Sequence, residues 1–137
     1  VGLGTDGGAS SNNLDMLAEM DSVAKLHKVY RMDPTIMDAK TVVHLATRGG
    51  ARVLGLEEQI GSLEPGKKAD LIGLDLDKPH LTPMYNIYSH LVYAASAADV
   101  ILAIINGRLV MQAGELLTLD VERVMAEVRK IAKRIKS

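Results

Sequence analysis

The opening run places the tightest limit on what this chain can fold into. Val1-Gly2-Leu3-Gly4-Thr5-Asp6-Gly7-Gly8-Ala9-Ser10-Ser11-Asn12-Asn13-Leu14-Asp15-Met16 begins as the end of a short apolar strand, delivers one carboxylate, Asp6, and passes at once into a loop of Gly, Ser and Asn. From Leu14 the period turns helical, with Leu14, Leu17, Met20, Ala24, His27 and Tyr30 near one stripe. Strand, acidic residue, loop and helix in that order make one βα unit. The chain starts at valine rather than an initiator methionine, and a strand at residue 1 reads as the middle of something larger.

Further signals set the later elements. Asp33-Pro34 stops the first helix, since proline removes a donor and biases its predecessor out of the helical region. Asp38 is an N-cap for a helix through Val42, Val43, Leu45 and Ala46, and Thr47 is expected to cap a second short helix from Gly49 to Leu54, closed by Gly55. Beyond residue 56 the pattern changes to turns and short apolar runs. Pro65-Gly66 precedes a strand holding Leu71, Ile72, Leu74 and Leu76, and Ile87 to Ala95 reads as a short helix. Val100 to Ile105 reads as a buried strand, Asn106-Gly107 as a type I′ hairpin turn, and Leu109 to Met111 as the returning strand. Asp120 caps a last helix in which Val121, Val124, Met125, Val128, Ile131, Ala132 and Ile135 share a face and Lys and Arg occupy the other.

Composition excludes several classes. With no cysteine there is no disulfide and no thiolate metal site. The net charge of −1 and the absence of Phe and Trp argue against a nucleic-acid surface, which needs basic charge and stacking rings. The run from Leu91 to Ile105, broken by Ser96 and Asp99, is too short and too polar to span a membrane. These features favour a cytoplasmic protein without nucleic-acid or membrane partners.

The motif Gly4-Thr5-Asp6-Gly7-x-Ala9-Ser10-x-Asn12, with Leu14-Asp15-Met16 behind it, resembles the amidohydrolase superfamily of metal-dependent hydrolases. The stretches Ala46 to Leu56, Ile60 to Leu76, Leu91 to Ala94 and Val100 to Gly107 follow in the family's order. The branch it looks most like comprises the methylthioadenosine/S-adenosylhomocysteine deaminases and the atrazine-type chlorohydrolases. The resemblance implies a mixed α/β fold: the last βα unit of a (β/α)8 barrel over residues 1–56, composite β-sandwich strands over 57–119, and a terminal amphipathic helix over 120–137. It implies that Asp6 is the aspartate after the eighth barrel strand, a metal-flanking and catalytic group that handles the proton of the attacking water. It leaves Asn12 as a candidate substrate contact, against the plainer reading that Ser10, Asn12 and Asn13 are ordinary loop and cap residues.

The departure from the family lies in the imidazoles. The family needs His-x-His and further His and Glu ligands, and a catalytic zinc site takes three protein ligands. His27, His44, His80 and His90 form no His-x-His and match none of those positions, so they read as surface or satisfied structural groups. A barrel of this kind needs roughly 250 residues. The sequence therefore reads as the C-terminal portion of a hydrolase acting on a purine-like or triazine-like ring. In the complete enzyme the resemblance implies a divalent metal, zinc first, with iron, nickel and manganese as alternatives. The chain alone is expected to bind none and to be inactive. Two other readings stand beside this one: a self-associating non-catalytic module, and one subunit of a split hydrolase whose barrel strands lie on another polypeptide. Either would make it a homo-oligomer or a partner of the missing barrel portion.

Overall fold

A computed structural model describes residues 1–136. The elements are α1 (Gly8–Ser11), α2 (Met16–Arg31), α3 (Ala39–His44) running through a π-helical segment (Leu45–Gly49) into α4 (Gly50–Val53), β1 (Leu71–Leu74), α5 (Ile87–Tyr93), β2 (Val100–Ile105), β3 (Arg108–Gln112), β4 (Glu115–Leu116) and α6 (Val121–Lys136). Single 3-10 turns at Pro79–Leu81 and Ala97–Asp99 lie before α5 and before β2.

The helix starts follow from side-chain caps. Asp15 Oδ1 accepts from the amides of Leu17 at 2.8 Å and Ala18 at 3.3 Å, two donors that the first turn of α2 leaves without an intrahelical partner. Asp38 does the same for α3, taking the Thr41 amide at 3.0 Å and the Thr41 hydroxyl at 2.9 Å. α2 ends at Met32, which turns left-handed at φ 50° before Asp33-Pro34. The expected break at Thr47 does not form. Its hydroxyl donates to the Val43 carbonyl at 2.8 Å instead of capping, and the chain passes from α3 to α4 through the wider π turn. Gly55, at φ 68°, closes the run as expected.

The sheet is a four-stranded antiparallel meander in the order β1-β2-β3-β4. Leu71 faces Ile104 and Leu74 faces Val100, with a bulge at Gly73/Leu74, and Leu76 falls outside β1. Asn106 and Gly107 both take positive φ, 50° and 75°, as the type I′ turn between β2 and β3 requires. β2 is less enclosed than its sequence suggests, because its six residues are all half-buried or exposed.

Val1 to Leu3 form no strand. Val1 is 89% exposed and the segment has no ladder partner among the described residues, so its backbone groups have nothing to pair with. The segment instead lies against the α3–α4 helix. A Cβ on Gly49 would stand 2.7 Å from the Val1 carbonyl, and one on Gly2 would stand 2.8 Å from the Gly50 Cα. Only glycines permit that approach.

The core joins α2, α3 and α5. Leu17, Met20, Ala24, Val42 and Val92 are buried together, with Leu3, Val23, Met37, Leu74 and Val100 packed around them. Leu14, His27 and Tyr30, expected on the same stripe of the first helix, are exposed. Lys28 closes one side by donating to the Met37 carbonyl at 2.7 Å and standing 5.9 Å above the Tyr93 ring. Because Val92 is fully enclosed, Val92→Ala is expected to cost about 2 kcal/mol, the transfer and cavity terms together. Val29→Ala, on the exposed side of α2, is expected to stay within about 0.5 kcal/mol in the same urea titration. Equal effects would show that the core lies elsewhere.

Candidate active-site loop

Asp6 sits at the point where the extended opening segment turns into α1. Its φ is 57°, a left-handed conformation that Asp tolerates better than most residues. Its side chain is exposed. The Gly7 amide donates to Oδ1 at 2.7 Å and holds the carboxyl below the usual carboxylate range. The Ser10 hydroxyl, which also donates to the Gly7 carbonyl at 2.9 Å, adds to that lowering. At neutral pH Asp6 is therefore an ionised group that only accepts hydrogen bonds.

Asn12 closes the single turn of α1 at φ 58°, its backbone amide donating to the Gly8 carbonyl at 3.2 Å and its side chain exposed. Asn13 takes a structural part, because its Oδ1 accepts from the Asp15 amide at 3.1 Å. The structure thus keeps Asp6 and Asn12 on one loop. The histidines lie apart from it in the chain's elements: His27 in α2, His44 at the end of α3, His80 in the 3-10 turn before α5 and His90 in α5. Among the described residues no group of three or more His, Asp or Glu comes together that could hold a metal ion. Asp6 is one oxygen donor, and a zinc site needs about three protein ligands, so the side chains of this chain do not by themselves fit a resident catalytic zinc.

Two carboxylates that the sequence did not single out hold the loop to the rest of the molecule. Asp15 caps α2 with Oδ1 and, with Oδ2, accepts from the Ala97 amide at 3.0 Å, across 82 residues of chain. Two residues on lies Asp99, only 1% exposed. Its Oδ1 takes Lys78 Nζ at 2.8 Å. Its Oδ2 takes the Ser96 amide at 2.8 Å and the Ser96 hydroxyl at 3.1 Å, and faces His80 Nε2 at 3.1 Å. Lys78 and then His80 do most to hold the Asp99 carboxyl well below its ordinary value, with the Ser96 amide next. The available sequence signal was weak: Asp15 follows the Asn pair as an N-cap should, while Asp99 appeared only as a break in an apolar run.

A groove of about 640 Å³ opens between α4 and the sheet; Leu3, Leu54, Ile72 and Ile105 are among its lining residues and Asp6 is not. Among the described residues, no helix is long and apolar enough to cross a membrane.

The chain is thus a mixed α/β protein with an antiparallel sheet and an ionised aspartate on a Gly-rich loop at the head of a helix. The chain belongs to the amidohydrolase family, whose model matches residues 1–110. It is 57% identical over 136 residues to a 5-methylthioadenosine/S-adenosylhomocysteine deaminase of Syntrophus aciditrophicus, covering 99% of this chain and 31% of that protein. It is 58% identical to the deaminase of the same name in Syntrophobacter fumaroxidans, with the same two shares. Its structure is similar to the crystal structure of an adenosine deaminase from Xanthomonas campestris with bound zinc, at a TM-score of 0.95 and 40% identity, over 98% of this chain and 31% of that one. It is also similar to the zinc complex of atrazine chlorohydrolase from Arthrobacter aurescens, at a TM-score of 0.84 and 27% identity, over 95% of this chain and 29% of that one. The chain thus spans about a third of the length of the relatives it matches.

The Asp99 arrangement sets a pH dependence. An acid whose carboxyl is depressed by folding stabilises the protein above its unfolded-state value of about 3.9 and loses that contribution as pH falls toward the folded value. Asp99→Asn is expected to lower stability by about 3 kcal/mol at pH 7, because Lys78 loses its charged partner. The gap from the unaltered chain should narrow below pH 4. Urea titrations at pH 7 and pH 3 check this, and a gap that is the same at both would contradict it.

Proposed function

We propose that this chain supplies the Asp6 segment of an amidohydrolase that hydrolytically deaminates an adenosine-type purine ring, in the manner named for its deaminase relatives. The identity of 57% over nearly all of the chain is the observation that carries the reading. It favours the purine over the triazine ring, since the atrazine-acting neighbour is only 27% identical. In this reading residues 1–56 correspond to the last βα unit of a (β/α)8 barrel, 57–119 to composite sandwich strands and 120–137 to the terminal helix. The close approach of Gly2 to Gly49 and Gly50 supports the first part, since a barrel strand must lie tightly against its helices. The units share a core, because Val92 of the second packs with Leu17 and Val42 of the first.

Hydrolytic deamination adds a water oxygen to the ring carbon and releases the amine as ammonia. The part assigned to Asp6 is to accept a proton from that water and return it toward the leaving nitrogen. Its ionised state and its place on an exposed loop support that role. Asn12, six residues on, is assigned a hydrogen bond to the substrate. A divalent metal, zinc as in the two neighbours described above, belongs to the complete enzyme. Its remaining ligands would come from polypeptide that this chain does not match, so the chain alone is assigned neither tight metal nor turnover.

Two measurements test this. The chain purified alone should retain less than about 0.1 zinc per molecule and release no ammonia from adenosine-type substrates; stoichiometric zinc with turnover would overturn the reading. In a full-length hybrid, with this chain replacing the matching part of the Syntrophus aciditrophicus protein, Asp6→Asn should reduce kcat/KM by about 10² to 10⁴, the range of general acid–base catalysis. Unchanged activity would remove Asp6 from the chemistry.

A further inference from the structure

Residues 5–13, which carry Asp6, make no direct hydrogen bond to the body of the molecule. Among the described residues their bonds all stay local. The Gly7 amide meets Asp6 Oδ1 at 2.7 Å, the Ser10 and Ser11 amides meet the Gly7 carbonyl at 3.0 and 2.9 Å, and the Ser11 hydroxyl meets the Asn13 carbonyl at 3.2 Å. The near end of the segment rests on α3–α4 through the close approach of Gly2. The far end leaves through one bond, from the Asp15 amide to Asn13 Oδ1 at 3.1 Å. A loop rich in Gly, Ser and Asn that is tied only to itself samples many backbone states. The direction of the Asp6 carboxylate therefore depends on how that far end is held.

Asp15 holds it, and its two oxygens have separate tasks. Oδ1 caps α2, as any N-cap oxygen would. Oδ2 reaches the Ala97 amide at 3.0 Å, a bond that helix capping does not need. Its partner is a fixed point, because the preceding residue, Ser96, is bound by amide and hydroxyl to the buried Asp99. Leu17 in the core fixes the axis of α2, but the turn before the helix is outside the core. A charge-assisted bond from Asp15 to a rigid corner sets the angle at which the chain arrives from Asn13.

We infer that Asp15 is a positioning residue for the Asp6 chemistry: by holding the Ala97 amide with Oδ2, it fixes the loop so that the Asp6 carboxylate stands where it accepts the proton of the attacking water. The inference deepens the functional reading above and rests on it. Asp15 itself touches no reacting atom and passes no proton. Its effect reaches Asp6 through Asn13, Ser11 and Gly7, each bonded to the next.

Asp15→Asn separates the two tasks. Asn caps a helix about as well as Asp, so its one carbonyl oxygen stays on α2, and its NH2 group then faces the Ala97 amide, donor against donor. Ala97→Pro removes the same bond from the other side. Ala97 is the first residue of its 3-10 turn and follows Ser96 in an extended conformation, φ −136° and ψ 168°, a setting that proline tolerates. In the full-length hybrid each substitution should lower kcat by about 10- to 100-fold, the scale of a misplaced reacting group, and the two together should cost no more than either alone. In an Asp6→Asn background, Asp15→Asn should lower the remaining kcat by less than about 2-fold, because no carboxylate is left to position. Exchange of the Ser10 and Ser11 amides, a readout independent of turnover, should quicken by at least about 10-fold in both variants. Asp38→Asn, which alters a cap bonded only to Thr41, should change neither kcat nor that exchange. If Ala97→Pro does not fold, Asp15→Ser takes its place, keeping the cap with a side chain too short to reach Ala97. Unchanged kcat and unchanged exchange in folded Asp15→Asn overturn the inference. So does a loss of the same size with and without the Asp6 carboxylate, which makes Asp15 a general support of the fold. Asp6→Asn with unaltered turnover refutes the functional reading, whereas impaired Asp6→Asn beside fully active Asp15→Asn refutes only the positioning.

Discussion

The buried carboxylate of Asp99 is the constraint around which the loops of this molecule are arranged. Removing an ionised group from water is costly unless its lone pairs are met, and here Lys78, His80 and both the amide and hydroxyl of Ser96 meet them. Those partners come from the turn before α5 and the turn before β2. The carboxylate therefore fixes where α5 enters the core and where β2 begins. One residue from Ser96, the Ala97 amide reaches back to Asp15, so the same corner also fixes the head of α2.

The Asp6 loop inherits its position from that corner. Asp6 itself is exposed and held only by neighbours in sequence, the Gly7 amide and the glycines that let Val1 to Leu3 lie on the α3–α4 helix. Rigidity reaches the loop from its far end, through Asn13 to Asp15 and from Asp15 to Ala97. A reactive side chain on a solvated loop, anchored by groups that take no part in the chemistry, is the usual division of labour in loop-borne sites.

The core explains why so much apolar surface remains outside. Its centre is small: Leu17, Met20, Ala24, Val42 and Val92. Meanwhile the outer side of α2, one face of the sheet and the strip of α6 expose Val, Leu, Ile and Met. Unpaired Val1 to Leu3 belong with these surfaces. A strand needs a neighbour to satisfy its backbone, and an apolar helix face needs a partner to exclude water. Both conditions depend on surfaces that do not come from the residues beside them in sequence.

That distinction separates what was legible in the sequence from what was not. The cap at Asp38, the left-handed turns at Gly55 and Asn106-Gly107, the sheet's hairpin and the amphipathic last helix all follow from residues within a few positions of one another, where side-chain and backbone groups meet whatever the rest of the chain does. The family was readable for the same reason, because its signature lies in the contiguous run from Gly4 to Met16. The tertiary structure decided the rest: that Thr47 bonds back to Val43 rather than capping, that His27 and Tyr30 leave the buried stripe, and that Asp99 becomes a buried polar group met by distant partners. These outcomes depend on which distant surfaces come together and what they shut away from water, and no local pattern of residues carries that information.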